Sequence, residues 1–162
     1  MQRVALYIQR SLEPVLLKAA KQFPAVVVTG PRQSGKTTLL RHALKDTHRY
    51  ISLESPDVRA TAQHDPRGFL ASFAPPVIFD EVHCAPDLLP YVKEHIDAHR
   101  DTPGQFILSG SHNLLMMQQN TETLAGRAAV LKLFPLSRRE IAGVPDAPLP
   151  WEGRGDAKAR PG

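Results

Sequence analysis

Apolar residues along the chain alternate between a helical and a strand-like spacing. Leu12, Val15, Leu16, Ala19 and Phe23 recur at helical intervals and predict a helix over residues 11–23. Ser11 is its candidate N-cap, Pro14 falls in the first turn where N–H groups lack intrahelical partners, and Pro24 ends it. Residues 25–29 follow without polar alternation, as in a central parallel strand covered on both faces. A helix over 36–46 (Leu39, Leu40, Ala43, Leu44) and a strand over 49–53 come next. Two short helical patterns fill 56–74, split at Pro66 and closed by Pro75-Pro76. Residues 77–80 are apolar until the last position and read as a third strand. A helix over 86–100, a strand over 105–109, short helices over 113–119 and 121–125, and a strand over 128–134 complete the series. Residues 137–142 predict a final helical turn or two, with Ser137 and Glu140 as a capping box.

Strands alternating with helices predict an α/β fold, a parallel five-stranded sheet flanked by helices and joined by right-handed crossovers. Beyond residue 142 prolines and glycines dominate, and Trp151 is the only large apolar residue after Leu149. The expected organisation is therefore one domain over residues 1–142 and a disordered tail or linker over 143–162.

Composition narrows the setting. The single cysteine, Cys84, excludes an internal disulfide and fits a reducing compartment. No stretch approaches the ~18 continuous apolar residues of a membrane span, and the N-terminus does not read as a signal peptide, so a cytoplasmic location is expected. The net charge is +4, unevenly spread. Residues 1–50 hold nine Lys/Arg against Glu13 and Asp46, a net of +7, which leaves −3 for the rest. A basic first third suits an anionic ligand. Arg3, Arg10, Lys18, Lys21 and Arg41 are candidates for a DNA-facing patch; the alternative is a solvated helix surface, since no aromatics are interleaved.

The candidate chemistry centres on residues 30–38, Gly30-Pro31-Arg32-Gln33-Ser34-Gly35-Lys36-Thr37-Thr38, which match G-x-x-x-x-G-K-[ST] between a predicted strand and a predicted helix. In such a Walker A loop, backbone N–H groups line a nest for phosphate. Lys36 would reach the β- and γ-oxygens of a nucleotide and the Thr37 hydroxyl would ligate Mg²⁺. Asp80 and Glu81 end a buried strand and fit a Walker B pair, Asp80 holding Mg²⁺ and Glu81 polarising the attacking water; the alternative is an N-cap pair opening the next helix. Ser109, with Ser111, His112 and Asn113 behind it, is a candidate γ-phosphate sensor or an ordinary turn. Arg127, just before the last strand, is a candidate phosphate contact in its own subunit or a neighbour's, or else a surface ion pair. His95 and His99 lie i, i+4 without the carboxylate of a zinc motif and read as a solvated helix face, and Cys84 reads as structural.

Together these residues resemble the N-terminal ATPase domain of a widespread prokaryotic family of AAA-type P-loop ATPases. The resemblance runs from Ile8-Gln9-Arg10 to Leu133-Phe134-Pro135-Leu136-Ser137 through Phe23-Pro24, Thr29-Gly30-Pro31-Arg32-Gln33 and Asp65-Pro66-Arg67-Gly68-Phe69-Leu70. It continues through Phe79-Asp80-Glu81-Val82-His83, Leu108-Ser109-Gly110-Ser111 and Leu124-Ala125-Gly126-Arg127. It implies a sheet of the ASCE type, with an extra strand between those carrying Walker A and Walker B. It also implies ATP as the nucleotide. The leading expectation is Mg²⁺-dependent hydrolysis used as a switch or motor. Because ATPases of this type commonly complete the site with an arginine, a homo-oligomer in which a neighbour supplies it stays open beside an arginine from the same subunit. Members usually continue into a C-terminal domain of uncertain function, and this sequence looks like a partial member. Two other readings remain open at this stage. Asp80-Glu81-Val82-His83 matches a D-E-x-H helicase box, and the chain can also serve as a nucleotide-binding or DNA-tethering module without turnover.

Overall fold

The computed structural model describes residues 6–111 and 124–143. The elements are α1 (Leu12–Gln22), β1 (Ala25–Thr29), α2 (Lys36–Ala43), β2 (Arg49–Ser52), α3 (Pro56–His64) and α4 (Pro66–Ser72). Then come β3 (Val77–Asp80), α5 (Leu89–Ala98), β4 (Phe106–Gly110), β5 (Ala128–Lys132) and α6 (Arg138–Ile141). All strand pairs are parallel, in the order β2-β3-β4-β1-β5. The sheet is the one expected, and β4 is the strand inserted between β1 and β3.

β1 is buried at every position because its side chains serve two cores. Val26 and Val28 pack with Leu16, Leu39, Leu40 and Ile107 beneath α1 and α2. Ala25 and Val27 face the other way, toward Phe69, Phe79, Phe106, Val92 and Ile96 beneath α4 and α5. The apolar run without polar alternation is the physical consequence of a strand with two covered faces.

The predicted helix over 86–100 divides. Val82–Cys84 and Pro86–Leu88 are 3₁₀ turns, and the α-helix begins only at Leu89, with Pro90 in its first turn. Ser11 does not cap α1 with its side chain; its backbone N–H instead donates to Glu140 Oε1 at 3.0 Å. The capping box of Ser137 and Glu140 is present. The predicted helices over 113–119 and 121–125 and the tail beyond 143 lie outside the described residues, apart from Leu124 and Ala125, which precede β5.

A buried ion pair closes the domain. Arg10 and Glu140 are 5% and 6% exposed, and Arg10 Nε donates to Glu140 Oε1 at 3.1 Å. Burial alone would push the Glu140 carboxyl up. The N–H groups of Ser137 and Ser11 and the Arg10 guanidinium outweigh it and hold the group below its ordinary value of 4.5. A folded-state value below the unfolded one means stability that is present above about 4.5 and lost as pH falls through the folded value. Glu140→Gln is expected to cost about 3–5 kcal/mol at neutral pH, because Arg10 keeps a buried charge without its partner. It should also flatten the acid slope of stability, and urea unfolding at neutral and acid pH measures both effects.

Candidate functional site

The loop between β1 and α2 is shaped by two glycines. A Cβ on Gly30 would lie 2.2 Å from the Leu133 carbonyl oxygen, in the chain just beyond β5. Leu133 N–H donates to Thr29 O at 2.8 Å, so this crossing is fixed and only glycine fits beneath it. The loop then turns through Gln33 (φ +62°) and Gly35 (φ +92°) into α2. Ser34 Oγ is buried here without a hydrogen-bond partner. Lys36 is the first residue of α2, and its ammonium lies over the loop, donating to the carbonyls of Gly30 at 2.8 Å and Pro31 at 2.9 Å. Burial lowers its pKa, while the carboxylates of Glu81 and Asp80 act in the opposite direction.

The carboxyl ends of β3 and β4 meet this loop. Thr37 Oγ1 donates to Asp80 Oδ2 at 2.6 Å. The Tyr50 phenol, from β2, donates to the same oxygen. Asp80 Oδ1 accepts from Ser109 Oγ and from Glu81 N–H, the latter at 3.1 Å. Asp80 is 1% exposed, so these four donors hold its carboxylate in one orientation. Burial, followed by the bond to Asp80, pushes the Tyr50 phenol up to about 12. Chain direction changes abruptly at Glu81, whose φ of +57° is unusual for a residue with a side chain and costs about 1–2 kcal/mol. Its N–H is held there by Asp80 and by Ser109 Oγ at 3.3 Å. Burial and the neighbouring Asp80 charge raise the Glu81 pKa, and His83 and Lys36 partly offset this. Glu81 Oε2 is 3.3 Å from His83 Nε2. Arg32, Lys36, Thr37, Glu54 and Glu81 line one open cleft of about 440 Å³.

A second, more apolar groove of about 410 Å³ adjoins the loop, between the segment before α1, α2 and Leu136. Tyr7 stacks on His42 there, with ring centroids 3.5 Å apart.

The structure thus brings Lys36, Thr37, Asp80, Glu81 and Ser109 together. Arg127 is not among them. Parallel strands place the start of β5 at the end of the sheet away from the loop, and β1 needs four steps of about 3.3 Å to cross that distance. Arg127 instead holds Asp97 at the end of α5 through Nε at 2.6 Å and Nη2 at 3.1 Å. Arg10 is buried and cannot belong to a DNA-facing patch. Lys18 and Lys21 are exposed on α1, and Arg41 lies over the Tyr50 ring at 4.8 Å. His112, Asn113 and Arg3 fall outside the described residues. His95 is not wholly solvated: it stacks on His99 and meets the edge of Phe106. Two residues here escape a reading of motifs, namely Tyr50 and Glu54, while Arg10 falls in a motif but reads there as surface charge. Tyr50 reaches Asp80 because its strand pairs with β3, and no linear signal marks that contact.

A glycine-bracketed loop at the carboxyl end of a central parallel strand, with a carboxylate at the end of a second strand two places away, defines the P-loop class of α/β proteins. The family model described as AAA domain matches residues 22–142, and the chain belongs to that family of AAA-type P-loop ATPases. Uncharacterized proteins of Mycobacterium bovis and Mycobacterium tuberculosis are each 32% identical over 126 residues, which is 78% of this chain and 28% of theirs. The chain therefore spans 28% of the length of these curated relatives. Among solved structures, the fold is shared with the Walker-type ATPase PABY2304 of Pyrococcus abyssi (TM-score 0.55, 18% identity, 85% of this chain and 56% of that one). It is also shared with domain III of the replication initiation protein DnaA of Thermotoga maritima (TM-score 0.56, 16% identity, 86% of this chain and 71% of that one). No helix among the described residues is long and apolar enough to cross a membrane.

Proposed function

We propose that the chain binds ATP with Mg²⁺ in the cleft beside residues 30–38 and hydrolyses it, as the switch or motor part of a larger assembly. The observation that carries this reading is the 2.6 Å contact between Thr37 Oγ1 and Asp80 Oδ2 at the mouth of the glycine loop. A hydroxyl and a carboxylate are hard oxygen donors and fit Mg²⁺, which is bound by few protein oxygens and completes its shell with water and phosphate. Thr37 and Asp80 would hold the ion, which supplies charge neutralisation on the phosphates. The loop N–H groups and the start of α2 receive phosphate oxygens. Lys36, already at the loop mouth, exchanges carbonyl partners for phosphate. Glu81 takes the proton of the attacking water, and Ser109 keeps the Asp80–Glu81 turn in place. The apolar groove beside Tyr7, His42 and Leu136 takes the base. Arg127 of a second copy completes the site, which makes the working form a homo-oligomer.

Lys36→Ala is the direct test. It removes the cation of the loop and is expected to abolish or severely weaken binding of a fluorescent ATP analogue, while circular dichroism stays that of the wild type. Unchanged affinity removes Lys36 from the site. Tight binding without turnover in the wild type assigns the chain to a nucleotide-dependent tether instead. Turnover measured with and without duplex DNA decides whether DNA is a partner.

A further inference from the structure

We propose that Arg10 is a positioning residue of the phosphate loop, and that through Glu140 it couples the loop to the segment leaving the sheet after β5. The inference rests on the nucleotide-binding reading above and adds a control element to the same site.

The guanidinium is buried and its donors go to three separate parts of the chain. Nη1 donates to the Ser34 carbonyl at 2.6 Å, Nη2 to the Phe134 carbonyl, and Nε to Glu140 Oε1 at 3.1 Å. The first contact sets the loop. A peptide is planar and trans, so its C=O and N–H point in opposite directions. Drawing the Ser34 oxygen toward Arg10 aims the N–H of Gly35 the other way. Gly35, in the left-handed region, is the residue whose freedom would otherwise let that peptide rotate. A Cβ at Gly35 would stand 2.9 Å from Arg10 Nη1, so the loop is closed down on the guanidinium.

The other contacts carry the coupling. Glu140 accepts from Arg10 and Ser11 on Oε1 and from Ser137 N–H at 2.7 Å on Oε2. The same exit segment touches the first loop glycine through the Leu133 carbonyl. Both glycines of the loop therefore bear on residues 133–140, one directly and one through Arg10. A ligand that orders the loop must also order this exit segment. A lysine at position 10 keeps the charge but lacks the planar fork that meets these acceptors together.

Wild type, Arg10→Lys, Glu140→Gln and Lys36→Ala are compared for affinity toward fluorescent Mg-ADP, for thermal stability, and for hydrogen exchange over residues 133–143 with and without nucleotide. Arg10→Lys is expected to stay folded and to weaken binding roughly tenfold or more, since a charged hydrogen bond that fixes the loop is lost. Glu140→Gln keeps Arg10 on Ser34, so it should lose as much stability yet change affinity by less than about threefold. Nucleotide should slow exchange over 133–143 in the wild type and not in either variant. Affinity losses that simply follow the stability losses would make Arg10 a structural residue. If Arg10→Lys does not fold, unprotected residues 133–143 in nucleotide-bound wild type still overturn the coupling. Binding lost in Lys36→Ala but kept in Arg10→Lys overturns this inference alone, whereas wild type that binds no nucleotide takes both readings down.

Discussion

Arg127→Ala is expected to leave ATP affinity within a few-fold and to remove most of the turnover, by ~10³–10⁵ where a guanidinium completes a phosphoryl-transfer site. The polarity of the sheet makes the test specific. Arg127 precedes β5 and stands at the end of the sheet opposite the loop, so it does not reach the cleft of its own chain. Asp97 holds it through Nε and Nη2, and the hydrogen bonds from Arg127 lower the Asp97 pKa and fix the guanidinium in one orientation. Turnover that depends on Arg127 must then come from a neighbouring copy. Specific activity of the wild type should rise with protein concentration, and mixing Arg127→Ala with Lys36→Ala subunits should restore part of it, each supplying what the other lacks. Asp97→Asn frees the arginine without removing it and should retain far more activity than Arg127→Ala. Full activity in Arg127→Ala reduces the residue to the partner of Asp97.

Glu81→Gln is expected to bind Mg-ATP as the wild type does and to lose hydrolysis by about 10²–10⁴, the usual contribution of a positioned base. The amide keeps the volume of the carboxylate, and the Glu81 N–H keeps its bonds to Asp80 and Ser109, so the turn survives. Asp80→Asn is expected to act differently, weakening the dependence of binding on Mg²⁺. It replaces an oxygen that accepts either from Thr37 and Tyr50 or from Glu81 and Ser109, and one of these pairs would then face an NH₂ group. Titration of nucleotide binding with Mg²⁺ separates the two variants. Exchange of their phenotypes would reverse the roles given to the two carboxylates.

Strands and motifs were legible because their signals are local. Residues 77–80 read as a buried strand from composition alone, and the β1 run declared two covered faces through the absence of polar positions. Lys36 and Thr37 follow the loop glycines at fixed spacing, so the motif already contains their placement. What stayed hidden depends on which distant segments meet. Arg10 reads as surface charge because arginine is seldom fully buried, and the partners that bury it are distant in sequence, the Glu140 carboxylate by 130 residues. Tyr50 reads only as a strand residue until β2 is laid beside β3. Arg127 is a candidate by its position before β5, but the end of the sheet at which it sits follows from strand direction. The start of α5 lies three residues later than predicted because two prolines, Pro86 and Pro90, both fit a first turn, and the chain uses them in separate turns.

The place of β4 has a consequence for assembly on the ribosome. β1 and β3 are both synthesised before β4, yet they are not neighbours: β4 lies between them and pairs with each. Two interstrand spacings, about 9–10 Å, separate the strands that deliver Lys36 and Asp80. A nascent chain ending before Phe106 carries both motifs without the strand that sets their separation. Its apolar edges at β1 and β3 are open to wrong pairing, with each other or with another chain. Formation of the site therefore waits on residues 106–110, which makes insertion of this last central strand the step that turns two separate motifs into one cleft, and the interval before it the one in which the chain most needs protection from aggregation.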